Sequence, residues 1–200
     1  MKIVLLASGT GTLLQSVIDH VDHSKVHILA VGSDRDCEAL SRAQRADIPT
    51  FTVEYTPGET DREQWNVALA EQIASYEPDI VVSAGFMRIL GKTVVDAFAG
   101  QIINTHPALL PAFPGAHGVR DALDYGVKVT GTTVHVVDSG VDTGPIIAQQ
   151  AVVVEPSDTE ATLHERIKVA ERQLLIDVLH AISDNGLSIN GRKARTTSND

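Results

Sequence analysis

Lys2-Ile3-Val4-Leu5-Leu6-Ala7-Ser8-Gly9-Thr10-Gly11-Thr12, near the start of the chain, carries the pattern that sets its architecture. A lysine followed by a short apolar run superficially resembles a secretory leader. The run leads straight into a loop with two glycines and then a helix over residues 13–21, so it reads as a first buried strand. The alternation repeats along the chain. Strands are expected over 26–32, 50–54, 79–84 and 101–104, and helices over 37–46, 61–76 and 92–98. The segment 79–84 is continuously apolar and β-branched, as strands buried on both faces of a parallel sheet are. This βαβ rhythm predicts an α/β protein with a doubly wound, mostly parallel central sheet.

The second half changes character. A short helix over 119–125 precedes two long strands, 129–137 and 146–154, joined by a glycine-rich loop and read as an antiparallel pair. A long helix follows, with Ser157 and Glu160 as its capping box and Leu163, Ile167, Ala170, Leu174, Val178 and Ile182 at helical spacing. Asn185-Gly186 stops it, and a last strand is expected over 187–189. No repeat, low-complexity stretch or internal linker interrupts the chain. The expectation is a single domain over residues 1–190 and a fraying polar tail over 191–200.

The 200 residues carry a formal net charge of −10 with a pI near 5.1, and no basic cluster precedes the tail. That argues against a nucleic-acid partner, which calls for a basic face. Any anionic substrate must then be held by local devices against the overall field. No apolar run approaches the ~18 residues a membrane span needs. The single cysteine, Cys37, has no partner for an internal disulfide, which fits a reducing cytoplasm. It lies in a helical pattern with no histidine nearby in sequence, and so reads as a passive thiol.

Three motifs can carry chemistry. Ser8-Gly9-Thr10-Gly11-Thr12 lies where the first strand meets the first helix; exposed backbone N–H groups and the helix dipole there suit a phosphate. The dinucleotide fingerprint wants a third glycine where Leu14 stands, so a nicotinamide enzyme using Asp34 as the ribose acid is the weaker reading. Asn104-Thr105-His106-Pro107-Ala108-Leu109-Leu110-Pro111 puts an amide and an imidazole in a proline-fixed loop at a strand end, where they can meet a developing oxyanion and pass a proton. Asp138-Ser139-Gly140-Val141-Asp142-Thr143-Gly144-Pro145 offers two carboxylates that could orient that imidazole, or simply cap a turn. Spacing does not choose between Asp138 and Asp142. His135, in the preceding strand, reads as structural. His164, Lys168 and Glu171 share one face of the long helix, a pattern that in isolation reads as a solvated face. His20 and His23 have metal-like spacing without a supporting ligand set, and no metal site is expected.

Ser8 to Thr12, Ala84-Gly85-Phe86-Met87-Arg88-Ile89-Leu90, Asn104 to Pro111 and Asp142-Thr143-Gly144-Pro145-Ile146 occur in this order, at spacing that strongly resembles the phosphoribosylglycinamide formyltransferases. The resemblance covers nearly the whole chain. It implies a Rossmann-like formyltransferase fold, and transfer of the formyl group of 10-formyltetrahydrofolate, a co-substrate, to the amine of glycinamide ribonucleotide in purine biosynthesis. It further implies that Asn104 and His106 stabilise the oxyanion, that His106 donates a proton, and that Asp142 holds the imidazole charged. The ribonucleotide would sit on Gly9, Gly11, Thr12 and Leu13, with Lys168 near its phosphate and Glu171 near its amine. Leu13 stands where the family typically has asparagine, so only its backbone N–H can contribute. Folate would lie along Met87, Arg88, Ile89, Leu90, Asn104, Val137, Asp138 and Val141, with Arg62 near its glutamate tail. The expectation is a cytoplasmic monomer or homodimer whose partners are small molecules, with no metal. A methionyl-tRNA formyltransferase would be expected to add a basic C-terminal domain, and a formyltetrahydrofolate hydrolase a regulatory domain before the catalytic one.

Overall fold

Four of the five residues of β1 (Lys2–Leu6) are buried, as a strand covered on both faces demands. The computed structural model describes residues 1–196; the last four residues of the expected tail lie outside the described residues. The chain divides into two compact units, Met1–Ile103 and the chain from Asn104 onward.

In the first unit β1 is followed by α1 (Thr12–His20), β2 (His27–Ser33), α2 (Glu38–Arg45), β3 (Thr50–Thr52), α3 (Arg62–Ala74), β4 (Ile80–Ser83), α4 (Lys92–Ala97) and the start of β5 (Ile102–His106). The strands run in the order β3-β2-β1-β4-β5, and β1 pairs parallel with both β2 and β4. The chain therefore moves outward from β1 to β3 and returns on the other side of β1. That reversal opens a crevice at the carboxyl ends of β1 and β4, where open α/β sheets bind ligands. The glycine loop after β1 and the segment Gly85 to Leu90 after β4 both lie there. α1 can start where it does because Gly11 has φ 69°, and a Cβ at this position would stand 2.7 Å from the Cα of Ala39 in α2. Only glycine meets both conditions. α3 begins at Asp61, whose carboxylate accepts from the Gln64 N–H at 2.9 Å, a side-chain cap of the usual kind.

The second unit holds the end of β5, then α5 (Gly118–Tyr125), β6 (Val129–Val136), β7 (Ile146–Val153), α6 (Glu160–Asn185), β8 (Ser188–Asn190) and β9 (Lys193–Arg195). β6 and β7 form the expected antiparallel pair. Three expectations are corrected. The predicted tail contains β9, which pairs with β7 and with β8; backbone pairing holds it although Lys193 and Arg195 are charged. The cap of α6 is Thr159, reciprocated by Thr162, because the chain from Asp158 makes its turn two residues later than Ser157 suggested. The buried row of α6 includes Leu163, Ile167, Leu175 and Leu179, all fully covered, with Ala170 and Leu174 only half-buried. This row has a strict i, i+4 spacing, and its missing member is Glu171. Val119, Leu163 and Ile167 form a core cluster against which Leu123, Val152 and Val154 pack.

Candidate active site

β5 runs on through Thr105 and His106, two residues beyond the expected strand end. Side chains alternate along a strand, so Asn104 and His106 share one face while Thr105 takes the other. His106 is 3% exposed. Its Nε2 lies 2.7 Å from the Phe113 carbonyl and its Nδ1 lies 3.3 Å from Asp142 Oδ2. A carbonyl only accepts, so Nε2 carries a proton. The strand end is held by threonines of β6: Thr132 donates to the His106 carbonyl at 3.2 Å and Thr133 to the Ala108 carbonyl at 2.7 Å.

The two aspartates left open by the sequence have separate roles. Asp138 accepts from the Gly140 N–H at 3.0 Å and the Thr143 hydroxyl at 2.6 Å, so it builds the loop between β6 and β7. Gly144 lets that loop close against Val136, whose carbonyl oxygen a Cβ would meet at 1.7 Å. Asp142, at a left-handed φ of 54°, is turned inward. Its Oδ2 accepts from the Gly115 N–H at 2.8 Å, and its Oδ1 stands 3.6 Å from His135 Nε2. Burial alone would raise the Asp142 carboxyl. The nearby His135 ring, the Gly115 hydrogen bond and the neighbouring His106 outweigh burial and hold it below its ordinary value of 3.8.

His135 is therefore part of the cluster, contrary to the structural role expected from its strand position. The β6–β7 register shifts between Val134 and His135, and such irregularities re-aim a side chain. Its Nε2 is 3.2 Å from Asn104 Nδ2, and its Nδ1 is 3.0 Å from the Val136 carbonyl. With Nδ1 protonated towards that carbonyl, Nε2 accepts from the Asn104 amide. No spacing pattern in the sequence marks this role; the shifted register produces it.

On α6, Lys168 pairs with Glu165 at 2.7 Å. Glu171, in the buried row, is hydrogen-bonded by Thr105; burial nonetheless pushes its carboxyl above the ordinary 4.5. His164 is shifted down, chiefly by burial and then by the Lys168 charge.

In the first unit, the glycine loop leaves α1 without a side-chain cap, so the first-turn N–H groups have no side chain of their own to satisfy them. The Leu13 side chain is buried in the core. Arg42, which sequence reading passed over, donates to the Thr10 carbonyl at 2.7 Å and braces the loop. Met87 and Ile89 are exposed on a backbone anchored at several points: Met87 N–H to Ser8 Oγ at 2.9 Å, Arg62 Nη2 to the Ile89 carbonyl at 3.0 Å, and Gly91 N–H to Asn66 Oδ1 at 2.8 Å. Arg62, Met87, Arg88 and Ile89 line one groove of about 250 Å³ with Tyr55, Pro57 and Trp65. Leu90 follows it and is half-buried, as is Val137 in the second unit, where Val141 is exposed. Asp34 is paired with Arg35 and Arg88, which removes it as a ribose-binding acid. His20 and His23 bond the Ser16 and Ile18 carbonyls. Among the described residues no group of three His, Cys, Asp or Glu could hold a metal ion, and no helix is long and apolar enough to cross a membrane.

A parallel sheet with a ligand crevice, and a buried imidazole beside a carboxylate and an amide, suit acyl transfer through an oxyanion. Residues 1–179 match the family model described as formyl transferase, which defines the class. Phosphoribosylglycinamide formyltransferase of Mycobacterium tuberculosis (strain ATCC 25618 / H37Rv) is 55% identical over 96% of this chain and 90% of its own length. The protein of that name from Bacillus subtilis (strain 168) is 37% identical over 96% and 99%. The crystal structure of glycinamide ribonucleotide transformylase 1 from Symbiobacterium toebii superposes with a TM-score of 0.92 at 39% identity, covering 99% of this chain and 94% of the other. The chain belongs to the phosphoribosylglycinamide formyltransferase family.

Proposed function

We propose that the chain moves the formyl group of 10-formyltetrahydrofolate to the amine of N1-(5-phosphoribosyl)glycinamide. The amine nitrogen attacks the formyl carbon, and the carbonyl π pair moves to oxygen. Asn104 and His106 stabilise that oxyanion, each donor contributing roughly 3–4 kcal/mol in a site of this kind. When the carbonyl re-forms, the bond to folate N10 breaks, N10 gains a proton and the former amine loses one. His106 supplies the proton to N10, and the proton that the amine loses returns to His106 by way of Asp142 and water. The reaction so written uses no metal.

The observation that carries this reading is the contact of His106 with Asp142 at 3.3 Å in a chain of this family. In the second unit, Lys168 and Glu171 are the candidates for the ribonucleotide, and an ammonium beside Glu171 would restore its carboxylate. Val137, Asp138 and Val141 are candidates for folate there, with Asn104. In the first unit, Gly9, Gly11, Thr12 and the backbone of Leu13 suit the phosphate, and Arg62 with Met87, Arg88, Ile89 and Leu90 suits folate. The reducing cytoplasm is the compartment that fits a single unpaired cysteine, and we propose action as a monomer or homodimer.

The test is to follow deformylation of 10-formyltetrahydrofolate with and without the ribonucleotide. Turnover that depends on the acceptor is expected. Equal turnover without it would make the chain a hydrolase, and no turnover in either case would defeat the proposal.

A further inference from the structure

Asp34 follows β2 directly, with a fully buried side chain. Its Oδ2 takes hydrogen bonds from Arg35 Nε at 3.1 Å, Arg35 Nη2 at 2.7 Å and Arg88 Nε at 2.7 Å. The Ser8 side chain also hydrogen-bonds this carboxylate. A buried carboxylate is costly unless matched by charge and hydrogen bonds, and here the match is to two arginines, both outside every helix and strand. Arg88 lies in the segment after β4, with its guanidinium 4.9 Å from the Tyr55 ring centroid, on the wall of the groove that also contains Arg62. A guanidinium held through Nε keeps its two Nη groups as a fork that fits a second carboxylate. In a chain of net charge −10, this groove brings Arg62 and Arg88 together, a local device for an anionic group.

We propose that Asp34 is a positioning residue that aims Arg88 at the glutamyl carboxylate of the folate co-substrate. The role rests on the reading of this groove as a folate site. Asp34 touches no substrate; it fixes the direction of the guanidinium, and so sets the preference for a co-substrate bearing that carboxylate. The neighbouring Ser8 bond to the Met87 N–H fixes the backbone of the same segment, so side chain and main chain are oriented together.

The test compares 10-formyltetrahydrofolate with 10-formyltetrahydropteroate, which lacks the glutamate, in the full-length protein. Asp34→Asn is isosteric and removes the charge. It is expected to raise KM for the glutamate-bearing co-substrate roughly ten-fold, the scale of a weakened charge-assisted hydrogen bond. With the pteroate its KM should equal that of the wild type, and kcat should hold for both. Arg88→Gln combined with Asp34→Asn should be no worse than Arg88→Gln alone. Equal KM defects on both co-substrates, or additive losses in the double variant, overturn the proposal. Should Asp34→Asn not fold, Arg88→Lys keeps the charge but loses the held Nε and the fork; it must show the same glutamate-dependent defect, and its absence overturns the proposal. Wild-type protein that does not formylate the ribonucleotide from 10-formyltetrahydrofolate defeats the folate reading itself. Normal wild-type turnover with no effect at Asp34 defeats only the positioning role.

Discussion

The partner of His106 is decided by loop chemistry. Asp138 spends its Oδ1 on the Gly140 and Thr143 bonds of its own turn, while Asp142 reaches both imidazoles. His106→Ala is expected to lower kcat by about 10²–10³, the loss typical of an oxyanion donor, with ribonucleotide binding retained by calorimetry. Asp142 and Glu171 should have opposite pH signatures. The Asp142 pKa is lowered on folding, so its contribution to stability is present above its unfolded value and is lost as pH falls through the folded value. In urea titrations across the acid range, Asp142→Asn should flatten that loss. The Glu171 pKa is raised. Its favourable, protonated form supports the fold below the unfolded value of 4.5, and that support is lost as pH rises through the folded value. Glu171→Gln is therefore expected to raise Tm at neutral pH while impairing turnover, and a lower Tm would contradict this.

The two-residue extension of β5 matters most among the elements, because it converts the loop residues Thr105 and His106 into an alternating strand with two functional faces. Asn104 and His106 meet the residues of β6 and its loop, and Thr105 meets α6 through Glu171. The ends of helices supply two further tests. Thr159→Ala should cost about 1 kcal/mol in urea unfolding, the value of a lost N-cap, and Ser157→Ala less than about 0.5, as for an ordinary surface change. Gly9 and Gly11 separate folding from binding. A Cβ at Gly9 meets nothing within 4 Å, whereas at Gly11 it meets Ala39 at a left-handed φ. Gly11→Ala should therefore destabilise by about 1–3 kcal/mol. Gly9→Ala should leave Tm unchanged, so a drop in its ribonucleotide affinity would report on phosphate contact alone.

For the whole molecule, we propose that residues 1–190 fold as one domain, since β5 supplies residues to both units and neither can be cut free without cutting a strand. Coincident urea transitions by tryptophan fluorescence and far-ultraviolet circular dichroism are expected; two separated transitions would count against it. Much of this architecture was legible in the sequence. The continuous apolar strands and the alternating helices established the doubly wound sheet because period and burial are local consequences of side-chain chemistry. The ordered motifs pointed to the family, to Asn104 with His106, and through it to Asp142. The sequence by itself could not rank Asp142 over Asp138 by spacing, place His135 in the cluster, bury Glu171 or bring Asp34 to Arg88. Each of these depends on contacts between residues far apart in the chain: a shifted β register, the turn that closes on Val136, the i, i+4 row of one helix, and a carboxylate 54 residues from its arginine. Local pattern determines which elements form and which face is apolar. Only the packed chain decides which polar groups are buried together, because the cost of burying a charge is met by partners that lie far away in sequence.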